Sequence, residues 1–188
     1  ALGASVIPLG RSEQFVPVDT EAVSEEDRAK ASTWSAEHNL DALFTTDGDG
    51  DRPLLADEHG QWLRGDILGL LCARELGIQA LAVPVSCNTA IEGCGAFAQV
   101  VRTRIGSPYV LAAMGALTEQ NAQVAGFEAN GGFLLASRLQ KETGYLEALP
   151  TRDALLPALT LLVAAAQQNK PLSALVDGLP LRFTASDR

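Results

Sequence analysis

The chain has 188 residues, a 47% hydrophobic share and a formal net charge of −9. That is enough apolar material for a substantial core, in one large or two small domains. The negative charge argues against a nucleic-acid or anionic-membrane partner, and the sequence has no apolar run of membrane-spanning length and no basic-then-apolar leader. Cys72, Cys87 and Cys94 show neither metal-type nor framework spacing. They are expected to be small buried apolar residues in a reducing, cytoplasmic compartment.

In chain order, residues 1–9 read as a strand, with β-branched Val6 and Ile7 and a stop at Gly10. The chain opens with that strand already under way, and residues 181–188 complete no element, which predicts a piece of a longer protein. Ser24-Glu25-Glu26-Asp27 resembles a capping box and opens a helix to His38, with Ala31 and Trp34 on one face. Asp41–Thr46 reads as a short strand and Pro53–Asp57 as another. A turn at Glu58-His59-Gly60 then leads back through Gln61–Leu63. Asp66 is the expected cap of a helix over 67–76, closed by Gly77. Ala80–Val85 reads as a buried strand whose Pro84 puts its end near a sheet edge.

Gln99–Thr103 is a further strand, and Ser107-Pro108 starts a helix with proline in its first turn. Val124–Phe127 and Phe133–Leu135 are strands on either side of a loop. Thr151 is the expected cap of a helix to Gln168, made irregular by Pro157, and Pro171–Val176 is a last short helix. Strands alternate with helices, so the expected class is α/β: a mixed, largely parallel sheet with helices on both faces. Residues 1–56 hold too few elements to cover a parallel sheet, which predicts part of a second domain with an exposed edge open to association.

The chemistry centres on Thr46-Asp47-Gly48-Asp49-Gly50-Asp51-Arg52. Asp47, Asp49 and Asp51 crowd together unless a cation or water screens them, and the two glycines allow a tight turn. Carboxylates on such a loop form the ligand set of a hard divalent cation such as Mg2+ or Ca2+. The alternative is a solvated acidic turn. Against an EF-hand, the three aspartates match positions one, three and five and Glu58 matches twelve, but Arg52 stands where the turn needs glycine. Against an aspartyl-nucleophile Asp-x-Asp-x-Thr pattern, Asp51 replaces the threonine. His38 and His59 read as solvated surface residues.

The acidic loop resembles the metal loop of the α-D-phosphohexomutases, the phosphomannomutase/phosphoglucomutase family. Thr103-Arg104-Ile105-Gly106 resembles that family's Thr-Lys-Val-Gly segment, and Gly126-Phe127-Glu128-Ala129-Asn130-Gly131 its sugar-binding loop. The resemblance implies that 1–59 end the second domain, 60–180 form the third and 181–188 lead towards a fourth. It implies Mg2+ on Asp47, Asp49 and Asp51, and Arg52 as a catalytic contact to the transferring phosphate. It also implies Arg104, Glu128 and Asn130 as substrate-binding residues for a hexose phosphate or hexose 1,6-bisphosphate. Taken alone, Arg104 reads as a surface arginine, and Glu128 reads equally as an exposed hairpin residue or as a site residue. Asn130 stands where serine is usual and Gly132 where histidine is usual. Ser186 follows Thr184-Ala185 but lacks the sequence of the phosphoserine loop, so this chain is expected to turn over no substrate alone. A metal-dependent sugar phosphatase and a non-enzymatic divalent-metal module remain the alternatives.

Overall fold

The structure is a computed structural model that describes residues 3–142 and 144–184. Ser186 and the end of the tail lie outside the described residues. The segment expected to form the first strand is unpaired coil over its described part, with Val6 83% exposed, because no strand among the described residues offers it a ladder. Helix α1, Glu25–His38, starts as expected, with the Ser24 hydroxyl accepting the Asp27 N–H at 3.1 Å. Three acidic residues fill its first turn and His38 its last, both favourable to the helix dipole. Ala31 is fully buried because the turn at Gly60 lies on the helix backbone. A Cβ at Gly60 would come within 2.5 Å of it.

Strands β1, Leu43–Thr46, and β2, Pro53–Ala56, form an antiparallel two-stranded sheet in which Thr46 faces Pro53. β2 is wholly buried and Leu55 belongs to the main core. Beyond the turn the chain returns only as a single bridge, Ala56 to Trp62, not as a full strand. Glu58 is used elsewhere: its carboxylate accepts from the Ser173 hydroxyl and N–H. It therefore does not complete a calcium loop, and the acidic stretch closes a hairpin rather than joining two helices.

Helix α2, Gly65–Leu76, ends at Gly77 as expected, with φ of 76°. Its cap position is Arg64, not Asp66. Asp66 is fully buried inside the first turn, where Oδ2 accepts the Asn88 N–H at 2.8 Å and Oδ1 lies 3.2 Å from Arg64 Nε. A buried carboxylate needs such partners, and they hold it away from the capping role.

The main sheet comprises β3, Ala80–Pro84; β4, Gln99–Thr103; β5, Val124–Phe127; β6, Phe133–Leu135; and β9, Leu149–Asp153, in the order β4-β3-β5-β6-β9. β3 runs parallel to both β4 and β5, and β6 is antiparallel to β5 and β9. The sheet is therefore mixed. β3 is interior, so Pro84 ends a central strand and not an edge one; the proline sits at the last ladder position, where losing its N–H is tolerated. Ala80 and Ala82 face helix α4, Ser107–Thr118, whereas Leu81 and Val83 face the core built with α2 and α5, Leu155–Gln168. Helices thus cover both faces of the sheet. Between β3 and β4 lies the short helix α3, Ala90–Gly93.

A small hairpin, β7 at Leu139–Lys141 and β8 at Gly144–Leu146, and the edge strand β9 were not foreseen. Thr151 lies inside β9. The N–H groups of Leu155 and Leu156 are capped instead by Asp153 Oδ1, at 2.8 and 3.1 Å. Pro157 falls in the first turn of α5, where a missing N–H costs nothing. The last helix, Leu172–Val176, is 3-10. Cys72 and Cys87 are free, and burial pushes both thiols up to about 12, which keeps them protonated.

Candidate metal centre

The hairpin between β1 and β2 is tied at its base. The Asp47 N–H donates to Arg52 O at 3.2 Å, the Gly50 N–H to Asp47 O at 3.2 Å, and the Arg52 N–H to Asp47 Oδ1 at 3.1 Å. Gly50 takes φ of 79°, a conformation that favours glycine. The result is convergence: one carboxylate oxygen from each of Asp47, Asp49 and Asp51 lies within 4.8 Å of the others.

Two arginines offset part of this charge. Arg52 Nε lies 3.5 Å from Asp47 Oδ2 and 3.8 Å from Asp51 Oδ1, and Arg152 Nε lies 2.8 Å from Asp51 Oδ2. Three carboxylates still outnumber two guanidinium groups. Asp51 Oδ1 is buried with no hydrogen bond, an arrangement that costs free energy unless a further partner arrives. An all-oxygen donor set with an unsatisfied buried oxygen fits a hard divalent cation.

The second loop joins β5 to β6. The Glu128 N–H donates to Gly132 O at 3.2 Å and the Gly131 N–H to Glu128 O at 3.0 Å. Asn130 Oδ1 accepts the Gly132 N–H at 3.0 Å, and the Thr20 hydroxyl donates to Asn130 O at 3.1 Å. The Asn130 carbonyl oxygen is thus spent on holding the loop, which leaves its amide N–H groups as donors. Glu128 is 6% exposed, and burial raises its pKa above the usual carboxylate range, against the pull of Arg152 and Arg52. Its Oε2 also lacks a hydrogen bond.

The structure brings Asp47, Asp49, Asp51 and Arg52 together and joins them to Glu128 through Arg152, whose Nη1 lies 3.7 Å from Glu128 Oε2. Arg104 stands apart. It is exposed at the carboxyl end of β4, with its guanidinium carbon 5.7 Å from the centre of the Tyr109 ring, and β3 separates β4 from β5. The parallel strands nevertheless put Arg104 and Glu128 at the same end of the sheet, the usual ligand side of such folds. Beside Arg52, a cleft of about 530 Å³ is lined by Pro17, Asp19, Thr20 and Glu21 among others.

Arg152 and Thr20 were missed from sequence. Arg152 stood in a segment read as a helix start, and Thr20 reaches Asn130 across 110 positions. The available signal was Gly132, whose missing side chain leaves room for another group.

The mixed α/β sheet and the neighbouring β1–β2 hairpin thus gather carboxylates and arginines in one place, a combination suited to a divalent cation and an anionic ligand. Residues 64–183 match the family model for phosphoglucomutase/phosphomannomutase, alpha/beta/alpha domain III, and the chain belongs to that family. A phosphomannomutase of Salmonella muenchen is 59% identical over 187 residues, which cover 100% of this chain and 39% of that protein. The chain thus spans about two fifths of that relative's length. A solved phosphoglucomutase/phosphomannomutase family protein from Burkholderia thailandensis superposes with a TM-score of 0.61 at 20% identity, covering 85% of this chain and 32% of that one. An Aspergillus fumigatus N-acetylphosphoglucosamine mutase, solved with GlcNAc-6P and magnesium, has a TM-score of 0.53 at 16% identity, covering 78% and 38%.

Proposed function

We propose that this chain supplies the metal loop and the sugar loop of a cytoplasmic phosphohexomutase that interconverts hexose 1-phosphate and hexose 6-phosphate. The observation that carries this reading is the link from the three aspartates through Arg152 to Glu128, which joins a cation site to a loop suited to sugar hydroxyls. Residues 1–59 are the metal-bearing end of one domain, and 60–180 form the sugar-binding domain. Asp47, Asp49 and Asp51 hold Mg2+. When bound, the ion neutralises charge on a phosphoryl oxygen.

The residues of this chain position and bind. Arg52 contacts the transferring phosphate. Arg104 offers a forked set of donors to phosphate or sugar oxygens from its own strand end. Glu128 accepts from sugar hydroxyls, and the Asn130 amide donates to one. The ligands are a hexose phosphate and its 1,6-bisphosphate, with mannose and glucose as the sugars tested first. The roles assigned to this chain are binding and positioning of the ligand.

Calorimetric titration of glucose 1,6-bisphosphate in the presence of Mg2+ tests the reading. The chain is expected to bind, and Glu128→Ala to weaken binding about tenfold through loss of a charged acceptor. Equal affinity in the variant, or no binding by the chain, would count against it.

A further inference from the structure

Arg152 reaches the site from β9, and its position follows from a glycine. A Cβ at Gly132 would stand 2.7 Å from Arg152 Cδ and 3.0 Å from its Cγ. The arginine stem therefore fills the space that a side chain at 132 would need. Its head lies between the two loops, with Nε 2.8 Å from Asp51 Oδ2 and Nη1 3.7 Å from Glu128 Oε2. The same cluster holds three buried polar atoms without hydrogen bonds: Asp51 Oδ1, Arg52 Nε and Glu128 Oε2. Native interiors seldom leave so many groups unmade in one place, and such groups call for a ligand or an ion.

The geometry points to Arg152 as a positioning residue that couples the two ligands: it neutralises Asp51 until a divalent cation takes that carboxylate, and then turns its guanidinium to the anionic sugar ligand held at Glu128. The inference rests on the sugar-phosphate reading above. Two consequences follow from charge alone. A guanidinium and a metal ion compete for Asp51, because like charges repel at this range. Once displaced, the guanidinium has donors to spare for a phosphate oxygen, which suits its planar fork. Cation and sugar phosphate should then strengthen each other's binding.

The test titrates Mg2+ into the chain, and separately glucose 1,6-bisphosphate in saturating Mg2+, for the wild type, Arg152→Met, Arg152→Lys and Gly132→Ala. Arg152→Met is expected to bind Mg2+ alone about threefold more tightly and the bisphosphate about tenfold more weakly, as loss of one competing and one recognising charge implies. Arg152→Lys should restore part of the bisphosphate affinity, because it keeps the charge without the fork. Gly132→Ala should shift both affinities in the same direction as Arg152→Met, because its methyl group would stand 2.7 Å from Arg152 Cδ, closer than to Asn130 Oδ1 at 3.2 Å, so the flexible arginine stem gives way first. Unchanged or weaker Mg2+ binding by a folded Arg152→Met would overturn the inference. A wild-type chain that takes Mg2+ but no bisphosphate would overturn the sugar-phosphate reading instead. Tighter Mg2+ binding in Arg152→Met would still uphold the competition at Asp51.

Discussion

Gly65→Ala is expected to lower the stability of the chain by about 3 kcal/mol and to weaken sugar-phosphate binding with it. Gly65 opens α2 and lies against the loop between β5 and β6. A Cβ there would stand 2.3 Å from Gly131 N, 2.5 Å from Ala129 O and 2.5 Å from the Asn130 carbonyl carbon. These are backbone atoms, so no side-chain rotation relieves the clash. Either the helix start or the loop must move, and the loop carries Glu128 and Asn130. For a chain of this length the loss corresponds to a fall in Tm of roughly 6–12 °C. Urea unfolding of wild type and variant measures it. A change below about 0.5 kcal/mol would show that the loop and helix are not packed as described.

The second large effect is expected at Arg102, which acts as a clamp on the loop after β3. Its Nη1 donates to Pro84 O at 2.9 Å and Cys87 O at 2.8 Å, and its Nη2 to Asn88 O at 3.2 Å. Its remaining donors meet both oxygens of Glu92 at 2.7 Å. Arg102→Met keeps much of the stem but removes the charged donor from three carbonyls, of which Pro84 O and Asn88 O still accept the N–H groups of Cys87 and Ile91, at a cost of about 3 kcal/mol. Part of that cost depends on pH. The hydrogen bonds from Arg102 lower the Glu92 pKa, so this pair stabilises the fold above the ordinary carboxylate pKa and loses that contribution as pH falls through the depressed value. The gap between wild type and Arg102→Met should therefore narrow in acid. The narrowing should stay below about 1 kcal/mol, because the Glu92 side chain is 44% exposed and well screened. Urea unfolding at neutral and acid pH checks both parts; a gap that widens in acid would contradict this account of the pair.

Local signals carried most of the helices and the two loops at Asp47–Arg52 and Glu128–Gly132. Ser24 with Glu25, Glu26 and Asp27 defined the start of α1, and Gly77 the end of α2, because capping is settled within a few residues. The aspartate and glycine alternation was legible because its geometry is a property of one hairpin. What failed was long-range. Val6 and Ile7 favour a strand, but a strand needs a partner, and propensity cannot supply one. Asp66 looked like a cap until Arg64 and Asn88 claimed its carboxylate. Leu149–Asp153 hid as a strand because it contains Pro150, which an edge strand tolerates. Arg152 was invisible for the same reason, since its role depends on β9 lying beside β6 and on the space at Gly132.

The three aspartates converge before any ion arrives, so their loop should take up a divalent cation as it stands. The most direct measurement is a calorimetric titration of Mg2+, with Ca2+ as the comparison, into the chain and into Asp49→Ala. Asp49 is the exposed member of the three, so its removal takes away a ligand with the least disturbance to the hairpin. Mg2+ should bind the wild-type chain and bind Asp49→Ala roughly tenfold or more weakly. No Mg2+ binding by the wild type, equal binding by the variant or a strong preference for Ca2+ would contradict it.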